Sequence, residues 1–217
     1  ELESRGGNGF LLSGGCDSEG KVVLDGYYKT LRRLKEETNL IINVHTGLPT
    51  VKMVDNLSES NIDVISYDMI GSKKTIKEIY GIEKNVPDYV EGFELIKEGG
   101  LEVVPHITIG LYHGEIRGEY KAIDFVKDSE KIILNSLIPS NFGKSIPSEK
   151  YLSLVKYALS ETDAEIILGC MRERGRSKLE IESLKLGVSG IVLPSKKTKE
   201  WANSKYDIER KEVCCAV

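Results

Sequence analysis

Seven short runs of apolar and β-branched residues recur along this sequence, and the stretches between them have helical periodicity. The clearest helical stretch, 27–37, places Tyr27, Leu31 and Leu34 on one face. Strands that are apolar on both faces and alternate with helices predict a parallel sheet covered by helices. The apolar runs are 10–12, 40–44, 62–66, 101–109, 132–138, 164–168 and 188–193.

Two α/β architectures fit this alternation, an open doubly wound sheet and a closed (β/α) barrel. No G-x-G-x-x-G turn follows the first run, which disfavours the open dinucleotide-binding sheet. Polar residues recur where the runs end, as expected of a barrel with its chemistry at the carboxyl ends of the strands. We therefore predict a (β/α) barrel with about seven of its eight strands, and we expect the sequence to begin after a first strand.

Composition predicts one ordinary globular domain over 1–217, with a C-terminal tail over about 196–217. No linker or low-complexity tract divides the sequence. In the tail, Trp201 and Tyr206 at near-helical spacing predict a terminal helix folded against the barrel.

The charge balance limits the classes of partner. A formal net charge of -4 and an isoelectric point of about 5.6 argue against binding to nucleic acid or an anionic membrane. No apolar run reaches the length of a membrane span and no signal-peptide pattern opens the sequence, which predicts a cytoplasmic location.

Several polar side chains are candidates for a site at the carboxyl ends of the strands. Three arginines around Gly175 suit a carboxylate ligand, or alternatively ion pairs with Glu173 and Glu180. His45 and His106 lie within strands, where buried structural histidines are the alternative to a functional role. The strand-end candidates are Cys16, His45, Asp68, His106, Cys170 and Arg172.

The four cysteines do not form a zinc-finger pattern, because the sequence has no C-x-x-C pair. Taken singly, each is most simply a small buried hydrophobic residue or part of a loose tail. Cys16 and Cys170, however, each follow a predicted strand, and a flexible tail would bring Cys214 and Cys215 to the same end of the sheet. Converging thiolates favour an iron–sulfur cluster.

Ordered motifs resemble the archaeal biotin-synthase-like family of radical S-adenosylmethionine (SAM) proteins, which includes the subunits of two-component archaeal lipoyl synthase. The motifs are SGGCDSEG, NVHTGLP, VISYDMIGS, YGIEKNVPDYVEG, VVPHITIGLYHGEIRGEY, ILGCMRERGR, GVSGIVLPS and CCAV. This resemblance covers essentially the whole chain and implies a barrel of the radical SAM type.

The resemblance also implies contacts to SAM. Gly14 and Gly15 correspond to the loop that contacts the methionyl ammonium, and Asp68 to a position that accepts hydrogen bonds from the ribose. A tight turn at the glycines and a helix cap at Asp68 are the alternatives. The other implied cofactor-binding residues are His45, His106, Gly110, Gly118, Arg172 and Leu193.

Radical SAM enzymes carry a four-iron cluster on a C-x-x-x-C-x-x-C loop after the first strand, and this sequence has no such motif. Either the stretch lies outside this chain, which we favour, or the protein is a shortened relative that generates no radical alone. By analogy with sulfur-inserting relatives, Cys16, Cys170, Cys214 and Cys215 are the candidate ligands of an auxiliary cluster that donates sulfur.

The implied activity is that of a lipoyl synthase subunit, in which a 5'-deoxyadenosyl radical prepares a protein-bound octanoyl chain for sulfur insertion. The implied partners are an octanoylated lipoyl domain and a second radical SAM subunit. Another biotin-synthase-like radical enzyme and a non-catalytic partner subunit are the alternatives.

Overall fold

The computed structural model describes residues 1–140 and 143–217 and shows the predicted alternation of strands and helices. The strands are β1 (Gly9–Leu12), β2 (Ile41–His45), β3 (Val64–Asp68), β4 (Val103–Ile109), β5 (Lys131–Ser136), β6 (Glu165–Leu168) and β7 (Gly190–Ile191). The α-helices are α1 (Tyr28–Glu37), α2 (Val51–Glu59), α3 (Lys73–Thr75), α4 (Val86–Glu98), α5 (Glu119–Phe125), α6 (Ser148–Glu161), α7 (Ser177–Leu186) and α8 (Lys196–Asn203).

The order of the strands in the sheet is the order of the chain, β1 to β7. Neighbours pair in parallel, as Gly9 with Ile41 between β1 and β2 and as Lys131 with Glu165 between β5 and β6. Parallel neighbours joined by helices are the pattern of a (β/α) barrel. The predicted α/β class with seven strands of barrel type is therefore confirmed.

The chain packs as two compact units. The first contains Glu1–Met69, Ile76–Val104 and Glu212–Val217, and the second contains Ile70–Thr75 and Pro105–Lys211. The prediction of a single domain with a C-terminal tail stays a prediction.

Each unit buries most of the apolar strands that the sequence predicted, whereas none of the residues of β1 and β7 is buried and Leu11 is 45% exposed. In the first unit Ile42, Val44 and Ile65 are fully buried. In the second unit the whole of β5 beyond its first residue is buried. Burial on both faces explains why the strands are continuous apolar runs without alternation.

Helix ends follow local signals. The side chain of Thr50 accepts a hydrogen bond from the Met53 amide at the start of α2, and the Asn85 amide donates to Asp88 at the start of α4. Gly187, with a φ of 112°, ends α7. One predicted contact differs, because α1 begins at Tyr28 and leaves the Tyr27 side chain exposed, so that Leu31 is the buried residue of that face.

The C-terminal part divides between the units. Helix α8 belongs to the second unit and buries Thr198 and Ala202, whereas Glu212–Val217 belongs to the first. Tyr206 lies beyond α8 and packs edge-on against Trp201, with ring centroids 5.8 Å apart. The predicted terminal helix is therefore present but ends before Tyr206. Over the described residues, no helix combines the length and the apolar character that crossing a membrane requires.

Candidate functional site

The loop after β1 folds back on the first unit through short backbone pairings. Cys16 pairs with Val22 and Lys21 with Gly47, both antiparallel. The Asp17 carboxylate accepts hydrogen bonds from the Lys21 amide at 3.0 Å and the Glu19 amide at 2.9 Å. These bonds to the carboxylate, led by the one from Lys21, lower the pKa of Asp17, and desolvation opposes them. The Asp17 carboxylate thus stabilises the conformation of this loop.

Gly14 and Gly15 in this loop have space for a side chain, whereas Gly47 does not. At Gly47, with a φ of 60°, an added Cβ would lie 2.2 Å from the Gly20 carbonyl oxygen. At Gly15 an added Cβ would meet no atom of the described residues within 4 Å, and at Gly14 it would meet only Val22 at 3.7 Å. Neither has a positive φ. The packing of the first unit therefore explains Gly47 but gives no steric reason for glycine at 14 and 15.

Asp68 ends β3 beside a cluster of three tyrosines, Tyr67, Tyr80 and Tyr89. A π-helical turn, Ile76–Tyr80, carries Tyr80, whose ring centroid lies 6.4 Å from that of Tyr89. Tyr67 donates its hydroxyl to the Tyr89 carbonyl oxygen at 2.8 Å. Such π-helical turns are frequent at functional sites, and no pattern in the sequence had indicated this one.

Electrostatics connect the tyrosine cluster to two of the predicted site residues. Burial raises the pKa of Tyr80 and of Tyr89, and electrostatic interactions with Asp68 and Cys16 raise both further. Both phenols therefore keep their protons at neutral pH and remain hydrogen-bond donors. The first unit thus brings Cys16 and Asp68 together with two tyrosines that sequence reasoning missed. His45, half-buried, ends β2 and pairs in register with Ser66.

In the second unit, a buried carboxylate anchors the loop after β4. Glu119 accepts hydrogen bonds from the Gly110 amide at 2.8 Å and from the Arg117 amide. Burial raises the pKa of Glu119, and these bonds oppose that effect. Sequence reasoning missed Glu119, although an acidic residue opening a helix directly after a glycine was visible.

The predicted glycines of this loop are explained by packing. An added Cβ would lie 2.4 Å from Ile146 at Gly110 and 2.5 Å from Gly71 at Gly118, and both glycines have positive φ. Their residue type therefore does not by itself indicate a ligand. His106 lies buried in β4.

Arg172 follows β6 with its guanidinium buried and bonded within the second unit. It donates to Glu180 at 3.0 Å and to the Leu193 carbonyl at 3.2 Å, and it also contacts the Gly169 carbonyl. Arg176 pairs with Glu173 at 3.3 Å. Ion pairs of Arg172 with Glu180 and of Arg176 with Glu173 are thus present, the first of them buried, and binding of a carboxylate ligand by Arg172 stays a prediction.

Leu193 has a backbone conformation unusual for a side chain. Its φ is 47° and its side chain is 65% exposed, while its carbonyl accepts from Arg172 and, at 2.9 Å, from Arg174. The two arginines hold this carbonyl, so they stabilise the turn after β7.

The structure places the four cysteines in different surroundings. Cys16 and Cys170 are exposed after β1 and β6, Cys214 is half-buried and Cys215 is buried. Cys214 contacts Asn43 in the middle of β2, whereas Cys16 lies beyond the carboxyl end of β1. Among residues 1–140 and 143–217, no three His, Cys, Asp or Glu side chains are grouped so as to hold a metal ion. Ligation of a cluster by these cysteines stays a prediction.

The thiol of Cys214 accepts several hydrogen bonds. Hydrogen bonds lower its pKa to about 5, the largest effect coming from Cys215 and smaller ones from the Ala216 amide and Asn43, against desolvation that raises it.

Comparison with known proteins shows a fold but no family. No protein-family model and no curated protein sequence matches this chain. Among solved structures, the FeFe-hydrogenase maturase HydG is 16% identical over 88% of this chain and 46% of its own, with a TM-score of 0.64. Methylornithine synthase (PylB) is 15% identical over 88% of this chain and 59% of its own, with a TM-score of 0.60.

A third structure with a similar fold is that of an HMG-CoA lyase. HMG-CoA lyase from Brucella melitensis is 10% identical over 76% of this chain and 60% of its own, with a TM-score of 0.55. This chain thus spans roughly half the length of HydG, 46%, and 59% of methylornithine synthase. At these identities the likeness is one of fold, and the fold of this chain is similar to that of HydG, methylornithine synthase and HMG-CoA lyase.

Proposed function

We propose that this chain is part of a radical SAM enzyme and that the loop after β1 contributes to SAM binding. The observation that carries the proposal is the exposed backbone at Gly14 and Gly15, which the packing of the first unit leaves unexplained. The fold likeness to radical SAM enzymes supports it independently.

The donor and acceptor groups of the first unit fit SAM chemically. Backbone left bare by Gly14 and Gly15 suits the approach of an ammonium group, which needs carbonyl acceptors. The Asp68 carboxylate suits ribose hydroxyls, which need an acceptor. Tyr80 and Tyr89 stay protonated and retain hydroxyl donors. When bound and reduced by one electron, SAM would supply a 5'-deoxyadenosyl radical.

The residues of this chain do not fit the radical cluster. The sequence has no C-x-x-x-C-x-x-C, and the part of the chain that the structure describes holds no group of three metal-ligating side chains. The proposal therefore assigns the cluster to residues other than these 217 and derives no step from it.

At the finer level, we propose sulfur insertion into an octanoyl chain carried by a lipoyl domain, in the cytoplasm and together with a second radical SAM subunit. The resemblance of the ordered motifs to lipoyl synthase subunits supports this assignment. The alternatives are another biotin-synthase-like radical enzyme and a non-catalytic partner subunit.

SAM binding is tested by calorimetry with two leucine variants. Gly15→Leu places a side chain where SAM is proposed to contact the protein backbone. The control, Gly26→Leu, places one at another exposed glycine, where an added Cβ also meets no described atom within 4 Å. We expect Gly15→Leu and Asp68→Asn to weaken binding by about tenfold or more, roughly 1.4 kcal/mol, and Gly26→Leu to have no effect. Equal binding by all variants would contradict the proposal.

The reaction is tested by mass spectrometry of an octanoylated lipoyl-domain peptide. The full-length protein, its partner subunit, SAM and a reductant are expected to give 5'-deoxyadenosine and a sulfur-containing peptide. 5'-Deoxyadenosine with an unchanged peptide would support another radical SAM enzyme, and the absence of both products despite SAM binding would support the non-catalytic subunit.

A further inference from the structure

The segment Glu212–Val217 carries an adjacent thiol pair that is seated on β1 and β2 of the first unit. The Asn8 side-chain amide donates to the Glu212 carbonyl at 3.2 Å, and the Val217 amide donates to the Cys214 carbonyl at 3.1 Å. Ala216 is fully buried. Hydrogen bonds to the carbonyls of Glu212 and Cys214 thus hold the backbone of this segment.

A buried hydrogen-bonded chain directs an amide N–H at the Cys214 sulfur. The Ser66 hydroxyl donates to Asn43 Oδ1 at 3.0 Å, and Asn43 Nδ2 lies 3.2 Å from Cys214 Sγ. Because the hydroxyl occupies the amide oxygen, the amide nitrogen must face the sulfur. Ser66 and Asn43 are both only 1% exposed, so neither exchanges this partner for water. A fixed N–H donor thus orients the Cys214 sulfur.

A cavity of about 280 Å³ adjoins Cys214 and gives a small molecule access to the sulfur. Its lining includes the apolar residues Phe10, Ile41, Val213 and Val217. Glu212 also lines it. Since one water takes about 30 Å³ of liquid volume, the cavity has room for a small neutral oxidant.

A second thiol lies within reach of the first. Cys215 Sγ is 4.0 Å from Cys214 Sγ. Adjacent Cα atoms across a trans peptide are about 3.8 Å apart, shorter than the usual Cα separation of a disulfide. A bond between these two sulfurs would therefore be strained and readily reduced.

We propose that Cys214 is a site of oxidation by small neutral hydroperoxides and that Cys215 is its resolving thiol. The Cys214 sulfur attacks the hydroperoxide, so that an S–O bond forms, the O–O bond breaks, and the leaving alkoxide takes a proton to become an alcohol. The Cys215 sulfur then attacks Cys214, so that an S–S bond forms and the S–O bond breaks, releasing water. Two thiols are oxidised by two electrons, and the hydroperoxide is reduced to an alcohol and water. This inference does not rest on the proposed function.

The test uses the full chain with Cys16 and Cys170 replaced by serine, treated with tert-butyl hydroperoxide or hydrogen peroxide and followed by peptide mass spectrometry. We expect the 214–215 peptide to lose two hydrogens, reversibly with dithiothreitol. Cys215→Ser is expected to accumulate a sulfenic acid on Cys214 that dimedone traps. In Cys214→Ser, we expect no oxidation of Cys215 at the same dose.

The role of the Asn43 amide is tested by substituting Ser66, which donates a hydrogen bond to Asn43 and is not itself in the thiol pair. Ser66→Ala is expected to slow oxidation of Cys214 by about tenfold, because the Asn43 amide is then free to turn. Ser66→Thr keeps the hydroxyl and is expected to restore the rate. The matched control is Ser60→Ala, another fully buried serine whose hydroxyl donates to the Asn56 carbonyl. We expect the control to leave the rate unchanged, whereas an equal effect of both alanine variants would mean a general structural effect.

Three results overturn the proposal. The first is oxidation of Cys16 or Cys170 ahead of Cys214 in the chain with all four cysteines. The second is the absence of a trapped sulfenic acid in a folded Cys215→Ser variant. The third is an iron–sulfur cluster, formed on anaerobic reconstitution, that Cys214→Ser removes, since the thiol pair would then belong to a metal centre.

Discussion

Arg172 Nη2 lies 3.0 Å from Glu180 Oε1, and the two side chains are 4% and 5% exposed. The same carboxylate accepts from the Ser195 amide at 3.0 Å and contacts the Thr198 hydroxyl at 2.5 Å. Glu180 thus joins α7, the turn after β7 and the start of α8 through one buried charge.

Removing Arg172 leaves that charge without its counter-ion, and we expect Arg172→Met to lower the free energy of unfolding by about 3–5 kcal/mol. The double variant Arg172→Met with Glu180→Leu is expected to recover part of the loss, because it removes both charges. Urea denaturation measures these differences.

The control is the exposed pair of Lys185 and Glu182 on the same helix, 50% and 40% exposed. Glu182→Gln is expected to change stability by no more than about 0.5 kcal/mol. Comparable losses at Glu182 and Arg172 would mean that burial of the ion pair is not the cause.

The stabilisation that the Glu180 carboxylate provides should depend on pH. Burial alone raises the pKa of Glu180, but hydrogen bonds from Thr198, Ser195 and Arg172 outweigh it and hold the pKa below its ordinary value of 4.5. Because the unfolded chain then binds the proton more tightly, this stabilisation is complete above that value and is lost as the pH falls through the lower folded-state pKa. We expect thermal melts between about pH 5 and about pH 3 to show a shallower loss of stability for Glu180→Gln than for the wild type.

Gly92 in α4 makes room for the Tyr67 hydroxyl. An added Cβ at 92 would lie 2.5 Å from that oxygen, so Gly92→Ala is expected to destabilise the protein by about 1–3 kcal/mol despite the better helix propensity of alanine. Tyr67→Phe removes the oxygen and its hydrogen bond to the Tyr89 carbonyl at a cost of about 1 kcal/mol.

The two changes should not add. Since the phenylalanine relieves the clash, the double variant is expected to be more stable than the sum of the single losses by about 1 kcal/mol in a urea double-mutant cycle. Strict additivity would show that the oxygen is not what constrains residue 92.

Glu119 should be needed for the conformation of the loop after β4. In Glu119→Gln, one carboxylate oxygen that accepts a backbone amide becomes a donor, and we expect a loss of about 1–3 kcal/mol with faster hydrogen exchange at Gly110 and Arg117. Glu115→Gln is the control, since Glu115 is 64% exposed and 3.5 Å from Arg117. Unchanged exchange at Gly110 in Glu119→Gln would contradict the anchoring role.

Local patterns predicted the elements of this fold but not the partners of its side chains. Runs such as 132–134 indicate burial on both faces of a strand, because this signal lies within a few residues of the element it describes. The motif resemblance likewise named Gly14, Gly15 and Asp68. Glu119 and Tyr80 lie within the quoted motifs, but the resemblance assigned them no role, and it did not indicate the contact between Asn43 and Cys214.

The sequence by itself determined the alternation of strands and helices, since hydrophobic periodicity is a property of neighbouring residues. Only the tertiary structure shows that Arg172 forms an ion pair with Glu180 and that Asn43 contacts Cys214. It also shows that a side chain at Gly110 or Gly118 would clash with neighbouring atoms. The physical reason is distance along the chain: Asn43 and Cys214 are 171 positions apart, and no local pattern records which side chains folding brings within hydrogen-bonding range.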